Sequence, residues 1–353
     1  MNSSKTLPSR IYFLDVAKVL CAFLVVYAHL FSKDSLTRLY IYSFHMPLFF
    51  IISGIFHKYA GLNQTKNIRR IIIPTIFFCL FVSIIRPIFS LLLDSSQLYN
   101  IGLTIKTNLY NDFISIYYSN GKLTNTPCWF LFALFWCKIF TDIIIVTYNK
   151  YISLLSNNRW FQFLMLMPFI PLSIVHLPLY MKQACMAIPF YFIGYFFSIQ
   201  LKTLDYAKTK FYYIPVLLFI NILISTFNGR VSMLGISYGH VNILGISYGL
   251  ADYIFRIPLF YINGFVGTLM VVYLSLFVKK HKYFFSSISN SLLTIVGMQS
   301  FIYYYYVKLT HYSFDFFIPF TTSIVIMVLC YGFHLLLERY FPWILGKNIQ
   351  KSI

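Results

Sequence analysis

The residues of this 353-residue chain that could do chemistry begin in its first apolar run, 11–32. Asp15, Lys18, Ala22, Val25 and His29 follow at i, i+3, i+7, i+10 and i+14. At 100° per residue that spacing is one stripe of a helix. Asp15 and Lys18 can pair at i, i+3. His29 lies three turns beyond Lys18, roughly 16 Å along the axis at 1.5 Å per residue. Imidazole suits general-base or nucleophilic catalysis and proton handling. The plainer readings are a buried His29 bonded to a neighbouring helix and an interfacial Asp15–Lys18 pair that anchors the first one. His45 opens the next run in Phe44-His45-Met46-Pro47 at comparable depth, so the two histidines could face one cavity.

Further along, Lys66-Asn67-Ile68-Arg69-Arg70 stands immediately before the third apolar run. It reads either as an inner-face anchor or as a phosphate clamp. Arg is suited to bidentate phosphate contact and a helix N-terminus adds amide donors. Arg86 and Arg256 lie within apolar runs with no acid nearby in sequence. Each needs a partner from another helix or a bound anion, and both are candidates for lining a polar cavity. Asp142 stands i+4 from Lys138, which reads as a helix-surface ion pair.

The elements that must position these groups follow from composition. The chain is 59% hydrophobic and 10% charged, with 28 Lys and Arg against 9 Asp and Glu and a net charge of +19. So few charges exclude a soluble globule of ordinary surface, since those carry about 25%. High hydrophobicity excludes disorder. A nucleic-acid binder would concentrate its charge on a polar surface, whereas here it lies between apolar runs. The expected fold is all-α: a polytopic membrane protein of about ten spans. They are 11–32, 39–57, 71–94, 129–148, 160–178, 184–201, 211–227, 253–278, 287–308 and 316–338. Most basic residues then fall on one side, which places both termini in the cytoplasm. The first run, with Asp15 and Lys18, is expected to be a retained helix rather than a cleaved signal.

Residues 1–353 read as a single membrane domain. The polar segment 95–128 is too small for a separate domain and could cap the outer face. Segment 228–252 carries LGISYG twice, at 234–239 and 244–249. It reads as a tandem duplication or as a Gly-rich re-entrant loop. There is no Walker loop, GxGxxG, HExxH or GxSxG. The cysteines form no CxxC pair and mostly sit in apolar runs as small hydrophobes. No metal site is expected.

These landmarks resemble those of acyltransferase family 3, integral-membrane enzymes that acylate bacterial envelope sugars. The first is RIYFLDVAKVLCAFLVVYAHLF at 10–31, with Lys18 ahead of His29. The second is YSFHMPLFFIISGIF at 42–56, and the third is NIRRIIIP at 67–74. WFLFALF at 129–135 and AIPFYFIGYFF at 187–197 are similar to later landmarks of the family. The likeness is closest to the fucose 4-O-acetylase-like branch. One departure is Gln299 in NSLLTIVGMQSF, where many relatives carry a His.

The resemblance implies transfer of an acyl group, usually acetyl, from cytoplasmic acetyl-CoA to a glycan or lipid-linked sugar hydroxyl beyond the inner membrane of a bacterium. It implies catalytic roles for His29, His45 and Asp15, the last through Lys18 and the donor channel. Lys18, Lys66, Arg69 and Arg70 would hold the donor. Arg86, Trp129 and Arg256 would contact the acceptor. The competing functions are a lipid-linked sugar flippase, which would show repeat symmetry, and a polysaccharide polymerase with Arg-rich outer loops.

Overall fold

The computed structural model describes residues 11–31, 35–61, 63–93, 100–152, 160–173, 175–204, 210–228, 250–310 and 317–347. Arg10 and the LGISYG pair lie outside these residues. The main helices are α1 (Tyr12–His29), α2 (Leu36–Tyr42), α3 (His45–Ile55), α4 (Ile73–Leu93), α5 (Ile101–Tyr118) and α6 (Trp129–Thr147). They continue as α7 (Met181–Phe196), α8 (Tyr213–Asn228), α9 (Leu250–Phe277), α10 (Lys282–Asn290), α11 (Leu292–Thr310) and α12 (Phe317–Tyr340). No strand occurs among the described residues.

Six helical stretches among them are long and apolar enough to cross a membrane: Tyr12–His29, Leu36–Ile55, Thr65–Leu91, Thr126–Tyr151, Arg256–Phe277 and Ile318–Tyr340. The protein is an all-α, multi-pass membrane protein. Its outward faces are apolar rather than charged. Ile76, Leu80 and Ile84 of α4 recur every four residues and are exposed, as are Val325, Val328 and Leu329 of α12. Such surface is stable against lipid. α1 is the central helix, in contact with α3, α9, α10, α11 and α12. Its stripe therefore faces protein.

Three expected spans are interrupted, each for a local reason. The run 39–57 is two helices, broken at Ser43–Phe44. Pro47 has no N–H for the Ser43 carbonyl, so a new helix starts with Pro47 in its first turn. The run 160–178 is not one helix. It holds Phe161–Leu164 and Phe169–Leu172, joined by turns, because Pro168 and Pro171 remove two amide donors. The run 287–308 is broken at Ser291 between α10 and α11. The polar segment 95–128 is also more ordered than a simple cap. It contains α5, which buries Asp112 and Ser115.

The tightest contact in the bundle is between α3 and α7. A Cβ at Gly54 would stand 1.9 Å from the Tyr191 carbonyl oxygen, and one at Gly194 would stand 2.0 Å from that of Ile51. Backbone therefore meets backbone, as small residues permit in membrane helices. This contact holds His45, at the start of α3, in register with the neighbouring bundle.

Candidate active site

His29 ends α1 and His45 begins α3, and the turn between α2 and α3 brings the two ends together. Both histidines line one cavity of about 530 Å³, with Arg38, Tyr42, Trp129 and Gln299. Tyr42 is its hub. Its ring centroid is 5.9 Å from that of His29 and 4.7 Å from that of His45. The Arg38 guanidinium carbon lies 4.9 Å from the same ring, and Nη2 donates to the Tyr42 hydroxyl at 3.1 Å.

His45 is held rigidly. Its backbone carbonyl accepts from Cys21 Sγ at 3.1 Å, and its Nδ1 is 2.9 Å from the Ile41 carbonyl oxygen. A carbonyl only accepts, so Nδ1 carries the hydrogen and Nε2 keeps the lone pair of the neutral ring. The His29 imidazole makes no hydrogen bond among the described residues and is the less constrained ring of the two.

Behind the far wall lie polar residues that sequence spacing does not pick out. Asn125 is fully buried. Its Nδ2 donates to Gly297 O at 2.7 Å and to Phe78 O at 3.2 Å, and its Oδ1 accepts from Ser300 Oγ at 2.7 Å. Asp112 accepts from Ser83 Oγ and, at 2.6 Å, from the Thr124 amide. These bonds fix the loop that brings Thr126 and Pro127 to the cavity. In the far wall Gln299 is 4% exposed, and its Oε1 has no hydrogen-bond partner among the described residues. Such a group is costly when left dry, and a hydroxyl-bearing ligand would satisfy it.

The other expected residues sit elsewhere. Asp15 and Lys18 pair at 3.5 Å, and Ser289 Oγ donates to Asp15 at 2.8 Å. The Lys18 ammonium also lies 4.4 Å from the centre of the Phe56 ring. This site is at the opposite end of α1 from His29. Lys66, Arg69 and Arg70 are exposed at that same end. The two arginines stand in a π-helical turn, Ile68–Ile72, a distortion frequent at functional sites. Gly346 (φ +66°) seats the C-terminal segment on this turn, since a Cβ there would be 2.8 Å from the Arg69 carbonyl oxygen.

Arg86 and Arg256 are not brought to the cavity. The Arg86 guanidinium lies 3.6 Å from the centre of the Tyr304 ring, and Arg256 Nη1 donates to Asn228 O at 3.1 Å. The cross-helix partners these arginines needed are protein groups.

Asp142 corrects the sequence reading. It does not pair with Lys138, whose Nζ instead donates to the Tyr191 hydroxyl at 3.4 Å. The Asp142 carboxylate takes His57 Nε2 at 3.1 Å, Gln64 Nε2 at 2.9 Å and the Ala60 amide at 3.4 Å. His57 Nδ1 meets the Tyr191 hydroxyl at 2.9 Å. Asp142 ties down the segment that leads into Lys66. Asp142→Asn is expected to lower stability by about 1–3 kcal/mol, because buried donors lose their acceptor. The check is the thermal unfolding temperature in detergent, and an unchanged value contradicts this reading.

The family profile described as "Acyltransferase domain" matches residues 11–339. The chain belongs to acyltransferase family 3. No curated protein and no solved structure matches it. As an acyltransferase of that family, the protein has to bring an activated acyl carbon to a base. The cavity is lined by two imidazoles, one cation and an amide oxygen that no described residue satisfies.

Proposed function

We propose that the protein is an O-acetyltransferase of the bacterial plasma membrane. It takes the acetyl group from cytoplasmic acetyl-CoA and places it on a hydroxyl of an envelope or capsular sugar. The observation that carries this reading is the arrangement along α1. A basic turn, Lys66 to Arg70, stands with Lys18 at one end, and the His29–His45 cavity lies at the other. The separation of Lys18 and His29 is roughly 16 Å from helix rise, a length suited to a pantetheine arm.

Lys66, Arg69 and Arg70 hold the donor phosphates, and Lys18, oriented by Asp15, lines the path of the arm. Trp129 packs against the acceptor, and the Gln299 oxygen receives one of its hydroxyls. His29 takes the proton of the attacking hydroxyl. The hydroxyl oxygen bonds to the thioester carbon, the C–S bond breaks, and the departing CoA thiolate recovers the proton. His45 Nε2 stands in the same wall as a second base. Arg86 and Arg256 take no part in this scheme, since each engages a protein group and neither lines the cavity.

The test is transfer of label from acetyl-CoA to de-O-acetylated envelope glycan by the purified protein. The Arg69→Ala, Arg70→Ala double variant is expected to bind acetyl-CoA about 10²-fold more weakly, since each of two lost charge-assisted hydrogen bonds is worth about tenfold. Unchanged affinity counts against the clamp, and absence of transfer by the wild type counts against the function.

A further inference from the structure

We propose that Arg38 is a catalytic residue, whose guanidinium stabilises the oxyanion formed when the sugar hydroxyl attacks the thioester. The inference rests on the acyl-transfer function proposed above. In sequence Arg38 is one more basic residue beside a short outer loop. The structure instead places it in the wall of the cavity that His29 and His45 share. It is half-buried in α2, within the apolar stretch Leu36–Ile55. A charge there is expensive and has to serve something.

Among the described residues it meets no group of opposite charge. Nη1 donates to the Phe31 carbonyl at 3.0 Å and Nη2 to the Tyr42 hydroxyl at 3.1 Å. Both partners are neutral. Among the described residues no carboxylate pairs with it, and none lines the cavity. The two bonds use two of five N–H donors and fix the plane of the guanidinium beside the Tyr42 ring. That ring in turn touches both histidines. A fixed cation next to a base, in a cavity with no acid among its described lining residues, is the arrangement that stabilises developing negative charge without reorganisation.

The acceptor oxygen bonds to the acetyl carbonyl carbon while His29 takes its proton. The carbonyl π pair moves onto oxygen, and Arg38 donates to that oxyanion. The pair returns, the C–S bond breaks, and the thiolate takes the proton from the His29 imidazolium. Arg38 is charged throughout, so no proton passes through it.

The experiment measures thiol release from acetyl-CoA, with the full chain in detergent micelles and base-de-O-acetylated envelope glycan as acceptor. Arg38→Gln is expected to lower kcat by about 10²–10³-fold, the usual cost of one lost oxyanion donor. KM for acetyl-CoA and for the glycan should change little. Added guanidinium ion should restore part of the lost rate. Arg38→Lys should fall between wild type and Arg38→Gln, and it covers the case in which Arg38→Gln fails to fold. Retention of kcat, a defect confined to the glycan KM, or a loss that guanidinium does not relieve overturns the assignment. No thiol release from the wild type overturns the acyl-transfer reading itself, so the two failures are distinct.

Discussion

His29→Ala is expected to lower kcat for acetyl transfer by about 10²–10⁴-fold, the usual contribution of a positioned general base. Acetyl-CoA affinity should be kept, because the basic turn is at the other end of α1. His29 is the last residue of that helix, and its imidazole makes no hydrogen bond among the described residues. Its removal therefore breaks no side-chain hydrogen bond and costs only the ring contact with Tyr42. His45 differs: its Nδ1 meets the Ile41 carbonyl at the α2–α3 turn. A His45 variant would confound catalysis with the geometry of that turn, so His29 gives the cleaner assay. Steady-state kinetics with both substrates separates the effects. A raised KM with kcat intact would assign His29 to binding.

Gly194→Ala is expected to have the largest effect on folding. The new Cβ would stand 2.0 Å from the Ile51 carbonyl oxygen and 2.8 Å from its carbon. Both are helix backbone, which cannot turn aside as a side chain can. Overpacking costs about 1–3 kcal/mol where neighbours adjust, and here the whole of α3 has to move away from α7. That displacement carries His45 with it and separates His57 from Tyr191, so stability and activity fall together. Size-exclusion profile and unfolding temperature in detergent are the measurements. Gly332→Ala is the control, since a Cβ there meets nothing within 4 Å. Equal behaviour of the two variants would contradict the close-contact argument.

The sequence made parts of this site legible because helical spacing is local. The Asp15–Lys18 pair and the stripe ending at His29 are properties of one helix, and the structure keeps both. That His29 and His45 share a cavity was readable from comparable depth in consecutive runs. The hidden parts depend on long-range contacts. Asp142 finds His57, 85 residues away in sequence, rather than its helical neighbour Lys138. Asn125 meets Gly297 and Ser300 across more than 170 residues. Arg38 looks like a topology charge because charge alone does not say whether a side chain faces a headgroup or a cavity. The broken run 160–178 was obscured for a different reason. Its apolarity suits a span, while Pro168 and Pro171 decide that the helix cannot be continuous.

The central claim is that His29 drives acetylation of an envelope glycan. It is tested most directly by the mass of that glycan from cells lacking the protein, complemented with wild type or with His29→Ala at equal expression. The account predicts that wild type restores one acetyl increment per modified sugar and that His29→Ala does not. Full acetylation with His29→Ala, or an unacetylated glycan of altered chain length in the deletion strain, would contradict it.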